Sequence, residues 1–343
     1  LLMKKNNTKC AIIGLGRMGI RHLLALKKLN LKLVGVADKS KKARENIKKK
    51  FHLNNNIIFK NIDQLLLNTK PQLLIISTTA DSHARLVEIA AKYKIKKILV
   101  EKPMATSIKD CKKMILVCKK SGSSLNVNHN YYLQKEYIRI KKIVNSKKFG
   151  GVKSFNYIGG NIGIAMNGVH LFDRFNFITN NGITKISSWF SKKNIKNPRG
   201  KQFKDKAGQI KAENNKKQRF YIDVSSDQGH GGILIIACKH GIFSIDLGDG
   251  KTNLLFRKSK FRKFPTTRYA LPQYKKQFKM KITSVEEASA SIIKKIILNK
   301  KTNTTKFGLE AVKILTAAYK SNKLNGKKIL INGVEENYKF PWA

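Results

Sequence analysis

Gly14, Gly16 and Gly19 form a G-x-G-x-x-G run, and Asp38 closes the next apolar stretch. The first glycine of such a run permits a tight turn, and the second lets backbone N–H groups approach a pyrophosphate. The third allows a helix to pack closely on a strand. Arg17 and Met18 stand inside the run, where a helix N-terminus offers unpaired N–H donors and the positive end of its dipole. A carboxylate at the position of Asp38 is placed to bond ribose hydroxyls. The chemistry these residues predict is dinucleotide binding. Lys102 is the second candidate, in the tripeptide Glu101-Lys102-Pro103. Pro103 restricts the preceding residue to extended backbone angles, which fixes the direction of the lysine side chain. An ammonium group there can bond a hydroxyl and polarise it while hydride leaves the adjacent carbon.

The patterning supplies elements to hold these groups. Cys10–Ile13 reads as a strand; Ile20, Leu23, Leu24, Leu26 and Leu29 recur at helical spacing; Leu31–Ala37 reads as a second strand. Ser40 is an N-cap candidate for a lysine-rich helix to Lys50. A short strand at Ile57–Phe59 precedes a helix around Asp63–Leu67. Leu73–Ser77 has the continuous apolar character of a buried parallel strand. Strands are expected again at Ile98–Val100 and Leu125–Val127, with helices between them, the second over Ser107–Lys120. Strands alternating with helices predict an α/β, doubly wound parallel sheet of Rossmann type over residues 1–123.

The remainder, 124–343, changes character. Strand-like runs at Val152–Ile158, Ile183–Phe190, Phe220–Val224, Gly232–Cys238 and Gly241–Asp246 have few helices among them. Gly248-Asp249-Gly250 reads as a hairpin turn. Lys192–Lys217 is polar and lysine-rich and is expected to be a long exposed loop. Helices are predicted at Val169–Ile178, Val285–Leu298 and Phe307–Asn322, with a last strand at Lys328–Ile331. This is an α+β domain with an open, mostly antiparallel sheet.

Composition narrows the function classes. Of the 71 basic residues only 11 are arginine, and the formal net charge is +51. Nucleic-acid readout favours arginine, and these lysines are spread from end to end rather than gathered in one stripe. Nucleic-acid association is therefore the weaker alternative, and the surface is expected to draw anionic ligands instead. No apolar run approaches the roughly 18–20 residues of a membrane span, and the first residues lack a signal-peptide core. Cys10, Cys111, Cys118 and Cys238 lack CxxC spacing. They predict reduced thiols in a cytoplasmic protein, and the histidines show no metal spacing.

Several stretches together resemble one family, that of the glucose–fructose oxidoreductases and inositol dehydrogenases (Gfo/Idh/MocA). They are AIIGLGRMGIRHLLAL, TTADSHARLVEIA, VEKPMATS, VNHNYYLQ, NGVHLFDRFNFIT and AVKILTAAYKSNKLNGKKILI, spread over nearly the whole chain. The resemblance implies an NAD(P)-dependent oxidoreductase acting on the CH–OH group of a sugar, sugar derivative or nucleotide sugar. It implies a second domain whose open sheet covers the active site and builds homo-oligomers, dimers or tetramers.

The resemblance also implies roles. Lys102 lies near the nicotinamide and relays the proton, and His170 takes or returns it. Asp173 lies one helical turn on and is placed to orient the imidazole or to bond the backbone. Thr78 and His83 match a loop under the nicotinamide ribose, and Glu101 and Asn128 line up with positions near the nicotinamide. Asp38 favours NAD, whereas Lys39, Ser40 and Lys41 are able to hold the extra phosphate of NADP, which stays open. Tyr131, Tyr132, Asn161 and Asn167 are candidate substrate contacts, though taken singly each favours a structural reading. One departure stands out: family dehydrogenases carry an aspartate where this chain has Met166. A catalytically altered cofactor-binding sensor is the alternative that this departure raises.

Overall fold

A computed structural model describes residues 6–160, 162–196, 200, 203–266 and 273–341. The chain forms two compact units. One comprises 1–133, 284–312 and 336–339; the other 134–283, 313–335 and 340–343.

The first unit is a six-stranded parallel sheet. In chain order it contains β1 (Asn6–Ile13), α1 (Arg17–Lys28), β2 (Leu31–Ala37), α2 (Lys41–Phe51), β3 (Ile58–Phe59) and α3 (Ile62–Thr69). These are followed by β4 (Leu73–Ile76), α4 (Ala80–Lys92), β5 (Lys97–Val100), α5 (Ile108–Ser121) and β6 (Ser124–Val127). The spatial order β3-β2-β1-β4-β5-β6 reverses direction between β1 and β4, which opens a crevice at their carboxyl ends. Every residue of β4 is buried, as an all-parallel strand covered on both faces must be.

The chain reaches Leu133 before leaving this unit, and 284–312 returns to it. Burial explains the return. Helix α8 (Val285–Ile297) places Ala290, Ile292, Ile293, Ile296 and Ile297 in the same core as Cys10, Ile12, Leu26 and Leu73. Each fully buried aliphatic side chain of this kind contributes roughly 1.5–3 kcal/mol. Ser284 and Glu287 form a capping box that fixes where the helix starts.

The second unit is built on a nine-stranded mixed sheet. Its elements are α6 (Lys135–Val144), β7 (Val152–Gly160), α7 (Val169–Thr179), β8 (Ile183–Asn194), β9 (Lys206–Asn214), β10 (Arg219–Ser225), β11 (Ile233–Cys238), β12 (Gly241–Asp246), β13 (Lys251–Arg257) and β14 (Gln273–Lys279). After α8 come α9 (Thr304–Lys323) and β15 (Ile329–Leu330). The order is β14-β13-β12-β11-β7-β10-β9-β8-β15, antiparallel throughout except for β7 and β10. Phe155, Phe172, Phe175 and Phe220 form an aromatic cluster between α7 and the sheet, with centroids 5.3–5.9 Å apart. Ser321 on α9 is buried; its hydroxyl accepts the Ser188 N–H and donates to the Lys327 carbonyl.

The expected loop over 192–217 is a correction. Strand β8 runs on to Asn194, and β9 occupies Lys206–Asn214 with Ala207, Ile210, Ala212 and Asn214 buried. Apart from Ile210, the inward positions carry small or polar residues, so the period-2 apolar signal is weak.

The glycine run is enforced by backbone contact. A Cβ on Gly19 would lie 2.0 Å from the Gly14 carbonyl oxygen, whereas one on Gly16 would meet nothing within 4 Å. Gly19→Ala is therefore expected to lose about 1–3 kcal/mol of stability, and Gly16→Ala to lose little. Chemical denaturation of both variants checks this; equal losses would contradict it.

Candidate active site

Gly14 holds φ +92° and turns the chain out of β1. Its N–H donates to the Ala37 carbonyl (2.9 Å), and its own carbonyl accepts the Ser77 hydroxyl (2.7 Å). A Cβ on Gly14 would collide with Ser77 and Thr78 backbone atoms. Helix α1 starts at Arg17 with Gly16 as N-cap, no side-chain cap and no acidic residue in its first turn. Backbone donors, the helix dipole and the open side of Gly16 coincide here, the arrangement that holds a pyrophosphate. The residues present thus fit a dinucleotide.

Asp38 spans two turns. One carboxylate oxygen accepts the Leu15 N–H at 2.7 Å and the other the Ser40 N–H at 2.8 Å. The Ser40 hydroxyl is the N-cap of α2, accepting the Ala43 N–H. Behind them, the Arg44 guanidinium donates to the carbonyls of Asp38 and Lys39. Arg44 is thus a cation beside the ribose position that the sequence reading did not single out.

Three further strand ends contribute. After β4, the Thr78 hydroxyl bonds that of Ser82 at 2.7 Å. His83 is fully buried, with Nδ1 facing the carbonyls of Pro103 and Met104 (3.1 and 3.3 Å) and Nε2 facing that of Thr78 (3.2 Å). It therefore clasps the loop after β4 to the loop after β5. Burial pushes its pKa below the usual histidine value despite the opposing carbonyls and the Glu101 carboxylate.

After β5, Glu101 is 4% exposed. Its Oε1 accepts from His22 Nε2 at 2.7 Å and from Asn128 Nδ2 at 2.7 Å; its Oε2 accepts the Lys102 N–H at 3.2 Å. Asn130 Nδ2 in turn donates to the Asn128 side-chain oxygen at 2.9 Å. Burial alone would raise the Glu101 carboxyl, but the bond and charge of His22, the charge of Lys102 and the Asn128 amide outweigh it and bring it to about 2. Lys102 is half-buried and joined to Pro103 by a cis peptide. Tyr131 and Tyr132 lie in a short 3-10 turn. The Tyr132 ring packs edge-on against Phe307 (5.8 Å) beneath the Lys295 ammonium, and burial raises its hydroxyl to about 12.

The second unit holds the remaining candidates. A π-helical turn, Ile164–Gly168, leads into α7, with the half-buried His170 on its first turn and Asp173 one turn on. Met166 and Asn167 are within the π turn, and Asn161 lies outside the described residues. The buried Asp205, absent from the sequence reading, accepts the backbone N–H groups of Ala165 and Met166 at 2.9 and 3.0 Å. A Cβ on Gly163 would overlap that carboxylate. Among the described residues, no group of three His, Cys, Asp or Glu is placed to hold a metal ion, and no helix is long and apolar enough to cross a membrane. All four cysteines are free thiols, and burial raises Cys10 to about 12 against the pull of Lys97.

Residues 8–129 match the model of an oxidoreductase family described by its NAD-binding Rossmann fold. Over 99 residues the chain is 33% identical to a 1-carboxy-3-chloro-3,4-dihydroxycyclohexa-1,5-diene dehydrogenase of Comamonas testosteroni, covering 28% of this chain and 25% of that protein. Over 151 residues it is 28% identical to a D-apiose dehydrogenase of Rhizobium rhizogenes, covering 43% and 42%. The matches thus span well under half of either relative. An oxidoreductase from Agrobacterium radiobacter, solved with NAD+, L-tartaric acid and magnesium, superposes with a TM-score of 0.77 at 19% identity, covering 95% of this chain and 99% of that one. That likeness is one of fold.

A carboxyl whose folded value lies below its usual 4.5 stabilises the fold above that value, and the contribution is lost as the pH falls towards 2. Wild type is therefore expected to lose thermal stability through that window more steeply than Glu101→Gln. Melting curves between these pH values decide it; parallel curves would contradict the placement of the charge.

Proposed function

We propose that the protein is an NAD-dependent oxidoreductase, NADP remaining a possible second cofactor. It moves a hydride to or from a secondary alcohol carbon of a sugar, sugar derivative or nucleotide sugar. The observation that carries this reading is Lys102, whose N–H donates to Glu101 at the carboxyl end of β5, on the same sheet as the glycine turn after β1. Polyhydroxylated substrates in the names of the two relatives support the substrate class.

When bound, the nicotinamide ring supplies the hydride acceptor or donor. The glycine turn and the start of α1 bind the pyrophosphate, and Asp38 meets the ribose hydroxyls and disfavours a 2′-phosphate by charge. Lys102 bonds the substrate hydroxyl and stabilises the negative charge that develops on its oxygen as the C–H bond breaks. His170 accepts the hydroxyl proton, a role suited to imidazole near neutral pH. Asp173 orients His170, and Tyr131, Tyr132, Asn161 and Asn167 are proposed to contact substrate hydroxyls.

A second reading, a cofactor-binding sensor without turnover, is favoured by Met166. No carboxylate is carried at that position, and the Asp205 carboxylate nearby in the fold is bonded to backbone N–H groups. Oxidation of a panel of sugars, polyols and nucleotide sugars, followed by NADH absorbance, separates the two. Lys102→Ala is expected to lower turnover by at least about 100-fold with NADH still bound. Full retained activity would overturn the assignment; NADH binding without oxidation of any panel member would favour the sensor.

The same reading includes self-association of a cytoplasmic protein. By strand register, Ile158, Trp189, Tyr221, Ile233 and Ile235 share the outer face of the nine-stranded sheet with Lys211 and Asp223. Apolar groups flanked by both charges suit a second copy of the same face. Sedimentation is expected to give a dimer or larger, reduced towards monomer by Trp189→Glu; an unchanged size would contradict this face.

A further inference from the structure

The glycine-turn helix and the lysine-bearing strand end are joined by one fully buried bond. His22 is on the second turn of α1, 0% exposed, and its Nε2 lies 2.7 Å from Glu101 Oε1. The other carboxylate oxygen accepts the N–H of Lys102 itself. His22 Nδ1 makes no hydrogen bond among the described residues, so the ring's polar contact is with Glu101. With one proton on Nε2, the histidine is a donor aimed at a single acceptor.

From this we infer that His22 is a positioning residue for the reaction. It holds the Glu101 carboxylate, and through it the backbone of Lys102, in register with the helix that receives the pyrophosphate. The inference rests on the reading of Lys102 given above. Its physical basis is that a carboxylate buried to this degree keeps one orientation only if its oxygens are bonded. His22 and Asn128 take one oxygen and Lys102 N–H the other. Removing His22 frees one side of the carboxylate, and Asn128 alone then orients Oε1. The lysine backbone follows the carboxylate it donates to, and a displacement near 1 Å at a reacting centre costs about 100-fold in rate.

Two measurements test this. In the proton NMR spectrum of the full chain, the His22 Nε2–H is expected downfield of the amide envelope, absent from Glu101→Gln and His22→Gln, and displaced by saturating NADH. Absence of such a resonance, or its indifference to bound NADH, would overturn the inference. In turnover of the panel sugar oxidised fastest, His22→Ala is expected to lower kcat about 10- to 100-fold with KM for NAD+ changed much less. His22→Gln, whose amide still donates to Glu101, is expected to recover most of the loss. A folded His22→Ala with wild-type kcat would overturn it. Failure of NADH to bind by fluorescence titration would instead sink the oxidoreductase reading, and the wild-type resonance with its loss in Glu101→Gln would still decide the pair.

Discussion

A carboxylate cannot be taken out of water without partners, and the first unit is arranged around that constraint. Glu101 is 4% exposed in the interior of an α/β sheet. Isolating such a charge costs several kcal/mol even after relaxation, and removing one partner of a buried pair typically costs about 3–5 kcal/mol. His22 from α1, Asn128 from the end of β6 and the Lys102 N–H all bond the same group. Their convergence requires that the first turns of α1 and the carboxyl ends of β5 and β6 lie at matching heights. Parallel pairing of β1 with β4, β4 with β5 and β5 with β6 delivers that alignment. His83 adds a second tie by clasping the loop after β4 to Pro103 and Met104.

The second unit meets the same kind of constraint with a different group. A π turn leaves backbone donors outside the usual helical ladder, and the buried Asp205 carboxylate accepts two of them. The contact is tight enough to require glycine at position 163. His170 follows this turn directly, so its place on α7 is set by a carboxylate far away in sequence. In both units, the residues proposed for chemistry are exposed or half-buried and rest on acidic groups that are buried and fully committed.

Much of the fold was legible in the sequence because its signals are local. The glycine run, the apolar strands and the helix-period segments each lie within a short window, and the parallel sheet follows from their alternation. The mostly antiparallel sheet of the second unit was legible for the same reason, with β9 as the exception. There, Ala212 and Asn214 on the inner face lack the bulk that marks a strand, and Gln209, Lys211 and Glu213 alternate with them on the outer face. The return of α8 to the first core was hidden because its apolar stripe specifies burial without saying against what.

The site was legible only in part, and for a physical reason. Motif positions announce themselves by spacing, whereas His22, Asp205 and Ser77 matter through partners dozens of residues away. His22 falls on the buried face of α1 with Gly19, Leu23, Ala25 and Leu26, so its helical spacing was the one available signal. The central claim, that this site passes hydride between a secondary carbon and the nicotinamide, is tested most directly by isotope transfer. Perdeuterated sugars and polyols incubated with NAD+ and the protein are expected to leave deuterium on the nicotinamide C4, and none when Lys102 is alanine. Bound NAD+ that acquires no deuterium from any of them would contradict the account.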